Sequence, residues 1–267
     1  MTVADRRLWV PTEVNVDAPS AARVYDYLLG GSYNFAADRA FAQQAIAIHP
    51  GLPMVCRENR SFLRRAVRFC ADNGIRQFLD IGSGLPTSGN VHEVAPEARV
   101  VYVDNEPVAV AHSRMMLRGS DRAAIVHADL RDPDTILNAP ETRRLLDFDQ
   151  PVGLLIVAVL HFVLDTELVK SVLAHYREQL APGSVLVLSH GTLEEQAPSA
   201  RKIQELYNRS PNKVITRTKQ ECVELMDGFE IIEPGVVFTP LWRPEPLAER
   251  PARPQDAGWY GMAGRLP

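Results

Sequence analysis

Residues 78–87 read FLDIGSGLPT. Three apolar residues, Phe78, Leu79 and Ile81, flank Asp80 and run directly into Gly82, Ser83 and Gly84, after which Pro86 and Thr87 suit the opening of a helix. The pattern predicts a strand, a tight glycine turn and a helix start. Glycine at 82 and 84 lets the chain turn sharply and lets a ligand approach the main chain, and the first turn of a helix offers unpaired N–H groups. The stretch is a cradle of the kind that holds a nucleotide, and the strands around it decide which one.

On both sides of the cradle, strand and helix patterns alternate. Strands are expected at 77–81, 99–103, 124–127, 153–159 and 184–189, and helices at 87–95, 107–117 and 166–180, with a mixed stretch at 134–148. This alternation with strongly apolar strands predicts an α/β fold, a mostly parallel Rossmann-like sheet covered on both faces. Upstream, Ser20 is a plausible N-cap for a short amphipathic helix ended by Gly30 and Gly31. Helices are also expected at 37–48 and at 53–73, the latter closed by Asn73 and Gly74. Downstream, helices at 197–208 and 219–226 precede two strands, 229–233 and 236–241. Only Pro234 and Gly235 join them, which predicts a C-terminal antiparallel hairpin.

Three regions follow. Residues 1–52 form an N-terminal arm and helical lid, 53–243 the ligand-binding domain, and 244–267 a proline-rich tail of extended character. That tail nevertheless ends in Trp259, Tyr260, Gly261 and Met262, apolar enough to dock. The double glycine at 30–31 reads either as a simple turn or as a hinge that lets Tyr33 and Asn34, with Tyr25, close over a ligand.

Composition narrows the class. A chain of 267 residues with 46% apolar content can bury a sizeable core, and a formal net charge of −4 argues against bulk nucleic-acid binding. Cys56, Cys70 and Cys222 are few and lack CxxC spacing, so neither a disulfide framework nor a metal site is suggested. The opening MTVADRRLWV has no apolar leader core, and the longest apolar run, 152–160, is too short to span a bilayer. A cytoplasmic protein with no membrane partner is expected; oligomeric state is left open.

In open α/β sheets ligands sit beyond the carboxyl ends of the strands. The first such end carries Asp80 and the glycine turn. The second, VVYVDNE, carries Asp104, about twenty residues beyond the turn, where a carboxylate accepts from both ribose hydroxyls. A dinucleotide could share these features. However, Thr87 stands where a pyrophosphate motif wants a small residue, and Asp80 suits a cationic ligand better than a phosphate. The third end, VHADLRD, adds Asp129, placed for an adenine amino group. Three acids at three successive strand ends describe a site for S-adenosylmethionine, which carries an amino group and a sulfonium and no phosphate.

Over residues 12–243 and the final Tyr-Gly segment, the chain resembles the class I S-adenosylmethionine-dependent methyltransferases. More narrowly it is similar to an actinobacterial family of S-adenosyl methyltransferases defined by sequence rather than by reaction. The resemblance is carried by RVYDYLLGGSYNFAADR (23–39), NRSFLRRAVRF (59–69), QFLDIGSGLPTSGNVHEVA (77–95), VVYVDNEP (100–107), AVLHFVLD (158–165) and LAPGSVLVLSHGT (180–192). It implies a seven-stranded sheet, with Gly82, Ser83 and Gly84 against the methionine part and ribose, Asp104 on the ribose and Asn105 beside the adenine. Asp129 and the Leu130 backbone would hold the adenine, and residues 158–160, including Ala158 and Val159, would form the floor. Arg60 or Arg57, both from an arginine stripe that otherwise reads as a solvated helix face, would pair with the methionine carboxylate, with Asn90 a further candidate.

Methyl transfer is an in-line displacement that needs a positioned acceptor and, for a hydroxyl, removal of its proton. His161, in VLHFVLD, is the candidate base; it is also readable as a hydrogen-bonded wall residue. His190 and His92 have a weaker case. The acid-or-Asn, Pro, Pro, aromatic tetrapeptide of amino-group methyltransferases is absent, which favours oxygen on a small-molecule acceptor, with residues 20–50, Trp259 and Tyr260 closing the pocket. The alternative is a binding protein that senses S-adenosylmethionine or its demethylated product without transfer.

Overall fold

The computed structural model describes residues 14–87, 89–244 and 252–267; the expected arm over residues 1–13 and most of the proline-rich stretch, 245–251, lie outside them. In chain order the helices and strands are α1 (Ala21–Leu28), α2 (Ala36–Ile48), α3 (Leu52–Asp72), β1 (Gln77–Ile81), α4 (Val91–Val94), β2 (Arg99–Asp104), α5 (Pro107–Met116) and β3 (Ala123–His127). There follow α6 (Pro133–Asn138), α7 (Pro140–Leu145), β4 (Gly153–Val157), α8 (Thr166–Gln179), β5 (Val185–Gly191), α9 (Pro198–Asn208), α10 (Lys219–Glu224), β6 (Glu230–Ile231), β7 (Val237–Phe238) and β8 (Trp259–Arg265).

The strands form one sheet in the order β3-β2-β1-β4-β5-β8-β6, with β7 also on β8. Strands β1 to β5 are mutually parallel and β8 runs antiparallel to β5. The sheet is as expected in class, mostly parallel with antiparallel C-terminal strands. It has eight strands among the described residues where seven are expected, and its pairing differs too. The two short strands around Pro234 and Gly235 do not pair with each other; both lie along β8, Ile231 opposite Gly264 and Val237 opposite Gly261. The partner is thus the end of the segment that composition marks as an extended tail. Close approach permits it: a Cβ on Gly261 would sit 2.8 Å from the Phe62 ring of α3.

Strand periodicity sorts the core onto two faces. Leu79, Ile81, Val101, Leu154, Ile156 and Leu186 pack with Val169, Val172 and Leu173 of α8, whereas Phe78, Val100, Leu155 and Val187 pack with Phe62, Ala66 and Val67 of α3. A third, smaller cluster joins Val24 and Leu28 of α1 to Phe41 and Ala42 of α2 and to Cys56, with Tyr207 of α9 against it. Helices α1 and α2, with the start of α3, therefore make a cap over the carboxyl ends of the parallel strands, and α9 packs against it. Among the described residues, no helix is long and apolar enough to cross a membrane.

Candidate functional site

The turn after β1 is shaped for close approach. Gly82 has φ +70°, and a Cβ there would lie 2.6 Å from Cγ2 of Val159, on the far side of the β4 end. Its N–H and that of Ser83 donate to the Val103 carbonyl at 2.8 and 3.1 Å, which locks the turn to β2. Gly84, at φ +69°, donates its N–H to Asp104 Oδ2 at 2.7 Å, while Glu106 N–H donates to Asp104 Oδ1 at 2.8 Å. One carboxylate thereby fixes both loops. Gly82→Ala combines left-handed strain of about 1–2 kcal/mol with the Val159 clash; in a denaturant titration it should unfold earlier than the wild type and bind cofactor more weakly.

The helix expected over residues 87–95 is found at Val91–Val94, and Gly89 before it has φ +63°. Among the described residues no helix N-terminus stands directly behind the glycine turn, the feature that supplies the anion-binding dipole of a pyrophosphate cradle. What the turn faces is acidic. Burial pushes the Asp80 carboxyl up to about 7, with Arg60 opposing the rise and Asp104 adding to it. Burial lifts Asp104 to about 6 against the hydrogen bonds from Glu106 and Gly84. Both folded values exceed the ordinary carboxyl value, so these groups favour the fold at acid pH, and that contribution is lost as pH rises towards neutrality. An arriving cation offsets the cost. Ser83 Oγ is buried without a hydrogen-bond partner in the same turn, a polar atom suited to a bound polar ligand.

At the next strand ends, Asn105 follows Asp104 and donates through Nδ2 to Asp129 Oδ2 at 3.4 Å. Asp129 is also gripped by Arg131, Nε to Oδ1 at 2.8 Å and Nη2 to Oδ2 at 2.6 Å, and this pairing holds its carboxyl below the usual range. Beyond β4, Ala158 adopts φ +60°, rare for a residue with a Cβ, and its N–H donates to Ser189 Oγ at 3.0 Å. Val159 then turns into the short helical turn Leu160–Phe162 that carries His161.

A single cavity of about 270 Å³ joins these parts. Gly82, Ser83, Gly84, Asp104, Asn105 and Leu130 line one end, with Arg60, Ala158 and Val159 beside them. His161, Tyr25 and Trp259 line the rest, together with residues 191–193 and 214–216 and the inner face of α9. His161 stands edge-to-face with Trp259, ring centroids 5.0 Å apart. Its Nδ1 is buried without a partner, and burial, then His190 and Arg217, drive its pKa well below that of free histidine. His190 Nδ1–H donates to the Gly191 carbonyl at 2.9 Å, leaving Nε2 to accept from Arg217 Nη1 at 2.6 Å. Burial lowers His190 to about 4, so both histidines are neutral in the neutral range.

Several residues singled out from sequence lie elsewhere. Asp80 and Asp129 sit behind the lining, and Asn90 N–H and Nδ2 both donate to Glu93, each at 3.0 Å, as a helix cap. His92 Nδ1 contacts the Tyr102 hydroxyl at 2.7 Å. Tyr33 packs at a tilt against the His112 ring, centroids 3.8 Å apart, Asn34 Nδ2 donates to Asp26 Oδ2 at 2.8 Å, and neither lines the cavity. The double glycine closes around that same Asp26, whose Oδ1 would be 2.0 Å from a Cβ on Gly31. Tyr260 faces away too: its hydroxyl donates to Glu194 Oε2 at 3.1 Å, and the neighbouring Trp259 takes the place at the wall. Tyr25 does line the cavity, accepting from Asn59 Nδ2 at 3.2 Å and donating to the Cys56 carbonyl at 3.1 Å. Arg60 reaches the Gly89 carbonyl at 3.4 Å.

One buried network escaped the reading of the sequence. Arg23 of α1 donates through Nε to Asp38 Oδ2 and through Nη1 to Glu106 Oε1, both at 2.8 Å, and through Nη2 to the Ala18 carbonyl at 2.8 Å. Ser20 stands at the N-cap position of α1 as expected, but its side chain makes no capping hydrogen bond; its hydroxyl donates to Glu106 and its N–H to Asp38 Oδ1. The cap is thereby bolted to the loop that carries Asp104. Arg23 lies opposite the apolar stripe of α1, where a charged residue reads as solvated, so no local signal marks it.

Residues 7–267 match the profile of a family described as S-adenosyl methyltransferase. The chain is 42% identical to a protein of Thermobifida fusca YX provisionally described as a methyltransferase, the match covering 97% of this chain and 99% of that one at a TM-score of 0.90. A DUF574 family protein of Streptomyces avermitilis MA-4680 is 38% identical, covering 95% and 100% at a TM-score of 0.90. At 13% identity, the N-methyltransferase NodS of Bradyrhizobium japonicum WM9, in complex with S-adenosyl-L-homocysteine, shares the fold, covering 92% and 99% at a TM-score of 0.52. No curated protein matches the chain. On the family profile and these two close relatives, the chain belongs to the S-adenosyl methyltransferase family, and its cofactor is S-adenosyl-L-methionine.

Proposed function

We propose that the protein transfers a methyl group to an oxygen of a small-molecule acceptor, with His161 taking the acceptor's proton. The observation that carries this reading is that His161 lines the same cavity as the Gly82 turn and Asp104, so that the proposed cofactor end and a neutral proton acceptor share one cavity. The cavity also continues past the cofactor end under α9, which a protein that only binds the cofactor does not require.

In this reading Asp104 accepts from the two ribose hydroxyls, Ser83 Oγ and the glycine-turn main chain meet the methionine part, and Arg60 pairs with its carboxylate. Asn105 and the Leu130 backbone flank the adenine, with Asp129 acting through Asn105 and its Arg131 pair. Ala158 and Val159 form the floor. The bound cofactor supplies an electrophilic methyl: the bond to the acceptor oxygen forms as the carbon–sulfur bond breaks, its electron pair stays on sulfur, and the hydroxyl proton passes to His161. A weakly basic imidazole suffices, because an oxygen gaining a third bond becomes strongly acidic.

Methyl turnover on a fractionated metabolite extract, with wild type and His161→Ala compared, tests this. The variant should bind S-adenosylhomocysteine as the wild type does and lose about 100- to 10,000-fold in kcat; unchanged kcat removes the role of His161. Because burial lowers the His161 pKa well below 6.5, kcat should show no loss as pH falls from 8 to 6, where an ordinary histidine base begins to protonate. An inflection near that ordinary value would contradict the assignment.

A further inference from the structure

Beyond the cofactor end, the cavity is walled by Leu28, Leu52, Val55, Leu193, Ile203 and Trp259, among others. Apart from His49, whose Nδ1 contacts Ser199 Oγ at 2.9 Å, its ionisable members are in their uncharged forms. Burial raises Tyr25 and Tyr207, pushes the Cys56 thiol up to about 12 and lowers His161. Among the described residues of the lining, Arg60 and Asp104 are charged but belong to the cofactor end, and Asp256, at the exposed rim, is paired with Arg253 at 3.1 Å. The cations of α9, Arg201 and Lys202, are exposed and do not line the cavity. Hydrogen-bonding capacity comes from neutral groups: the side chains of Gln204 and Thr216, within 3.5 Å of each other, and Thr192.

We infer that the acceptor is an uncharged, largely apolar molecule, held between α9 and the α1–α3 cap with its hydroxyl towards His161. The inference rests on the methyltransferase reading above and names the substrate class of that site. A carboxylate or phosphate entering this end leaves water and meets no arginine or lysine among the described lining residues, and a desolvated charge without a partner is strongly disfavoured. An ammonium meets aromatic faces but no free carboxylate, and repels the sulfonium it must approach. A neutral apolar body is not penalised and buries its surface against the aliphatic wall.

The test uses one apolar frame with three substituents. Naphthol, naphthoate and naphthylmethylammonium are titrated calorimetrically into the wild-type protein saturated with S-adenosylhomocysteine, after the binding of S-adenosylhomocysteine itself has been measured. Naphthol should bind about 100-fold more tightly than either ion. Ile203→Arg, which puts a cation into the wall, should bring naphthoate up to or above naphthol, provided the variant still binds S-adenosylhomocysteine. Equal or tighter binding of either ion by the wild type overturns the inference. So does failure of all three frames to bind a protein that takes up S-adenosylhomocysteine, and this outcome leaves the cofactor reading standing. Failure of S-adenosylhomocysteine to bind removes the cofactor reading and the inference with it.

Discussion

Asp104→Ala should weaken S-adenosylhomocysteine binding by about 100-fold, equivalent to about 3 kcal/mol. Two losses act together. The ribose hydroxyls lose their charged acceptor, and the Gly84 and Glu106 N–H groups, now at 2.7 and 2.8 Å from the carboxylate, lose the tie that holds both loops in register. Asp104→Asn keeps the shape and one acceptor oxygen but sets an NH₂ against one of those N–H donors, so it should fall between the two. Calorimetric titration gives the affinities, and unchanged affinity in the alanine variant rejects the ribose assignment. The wild type should also bind more weakly below about pH 6, since Asp104 titrates there and must be ionised to accept two hydroxyls. Asp80, raised to about 7, adds its own dependence above that point.

The largest effect on stability should come from Arg23. Its guanidinium is 3% exposed and neutralises Asp38, which is fully buried, and Glu106, at 12%. Arg23→Met leaves two desolvated carboxylates facing each other without a cation. Removing one partner of a buried pair costs about 3–5 kcal/mol, a large part of the about 5–15 kcal/mol that holds a typical domain. Urea unfolding followed by circular dichroism measures it. Because Glu106 N–H also holds Asp104, the loss should be smaller in the presence of saturating cofactor than without it. A stability change below about 1 kcal/mol would mean that solvent reaches these groups.

Elements governed by local periodicity were legible before the structure. The strand expected at 77–81 is found at Gln77–Ile81, and the helix expected at 53–73 is Leu52–Asp72, because apolar spacing and the Asn73 and Gly74 terminus act within a few residues of themselves. Asp104 could be placed for the same reason: it ends a strand whose carboxyl edge is a ligand edge in any parallel sheet. What could not be read depends on contacts across long separations. Tyr33 and Asn34 beside two glycines look like a hinged lid, yet the buried Asp26 carboxylate organises that turn from the preceding helix. Asp129 keeps its strand-end position, but Arg131, two residues on, takes up its carboxylate. The wall formed by α9 and residues 214–216 has no motif at all. It meets the cap through His49 and Ser199, a hydrogen bond of 2.9 Å between residues far apart in the chain.

The position of β8 bears on how the molecule is made. Residues 259–265 lie inside the sheet, pairing with β5 on one side and with β6 and β7 on the other. Until translation has delivered them, β5 presents an open edge of apolar residues, Val185 to Leu188, and the sites for two short strands do not exist. Closing that gap requires Val185 to find Arg265 across the whole intervening chain, a non-local search of the kind that slows folding and leaves strand edges open to aggregation. The nascent protein is therefore most in need of a chaperone during the interval between completion of β5 and arrival of Trp259, and the same last step sets that tryptophan in the cavity wall beside His161.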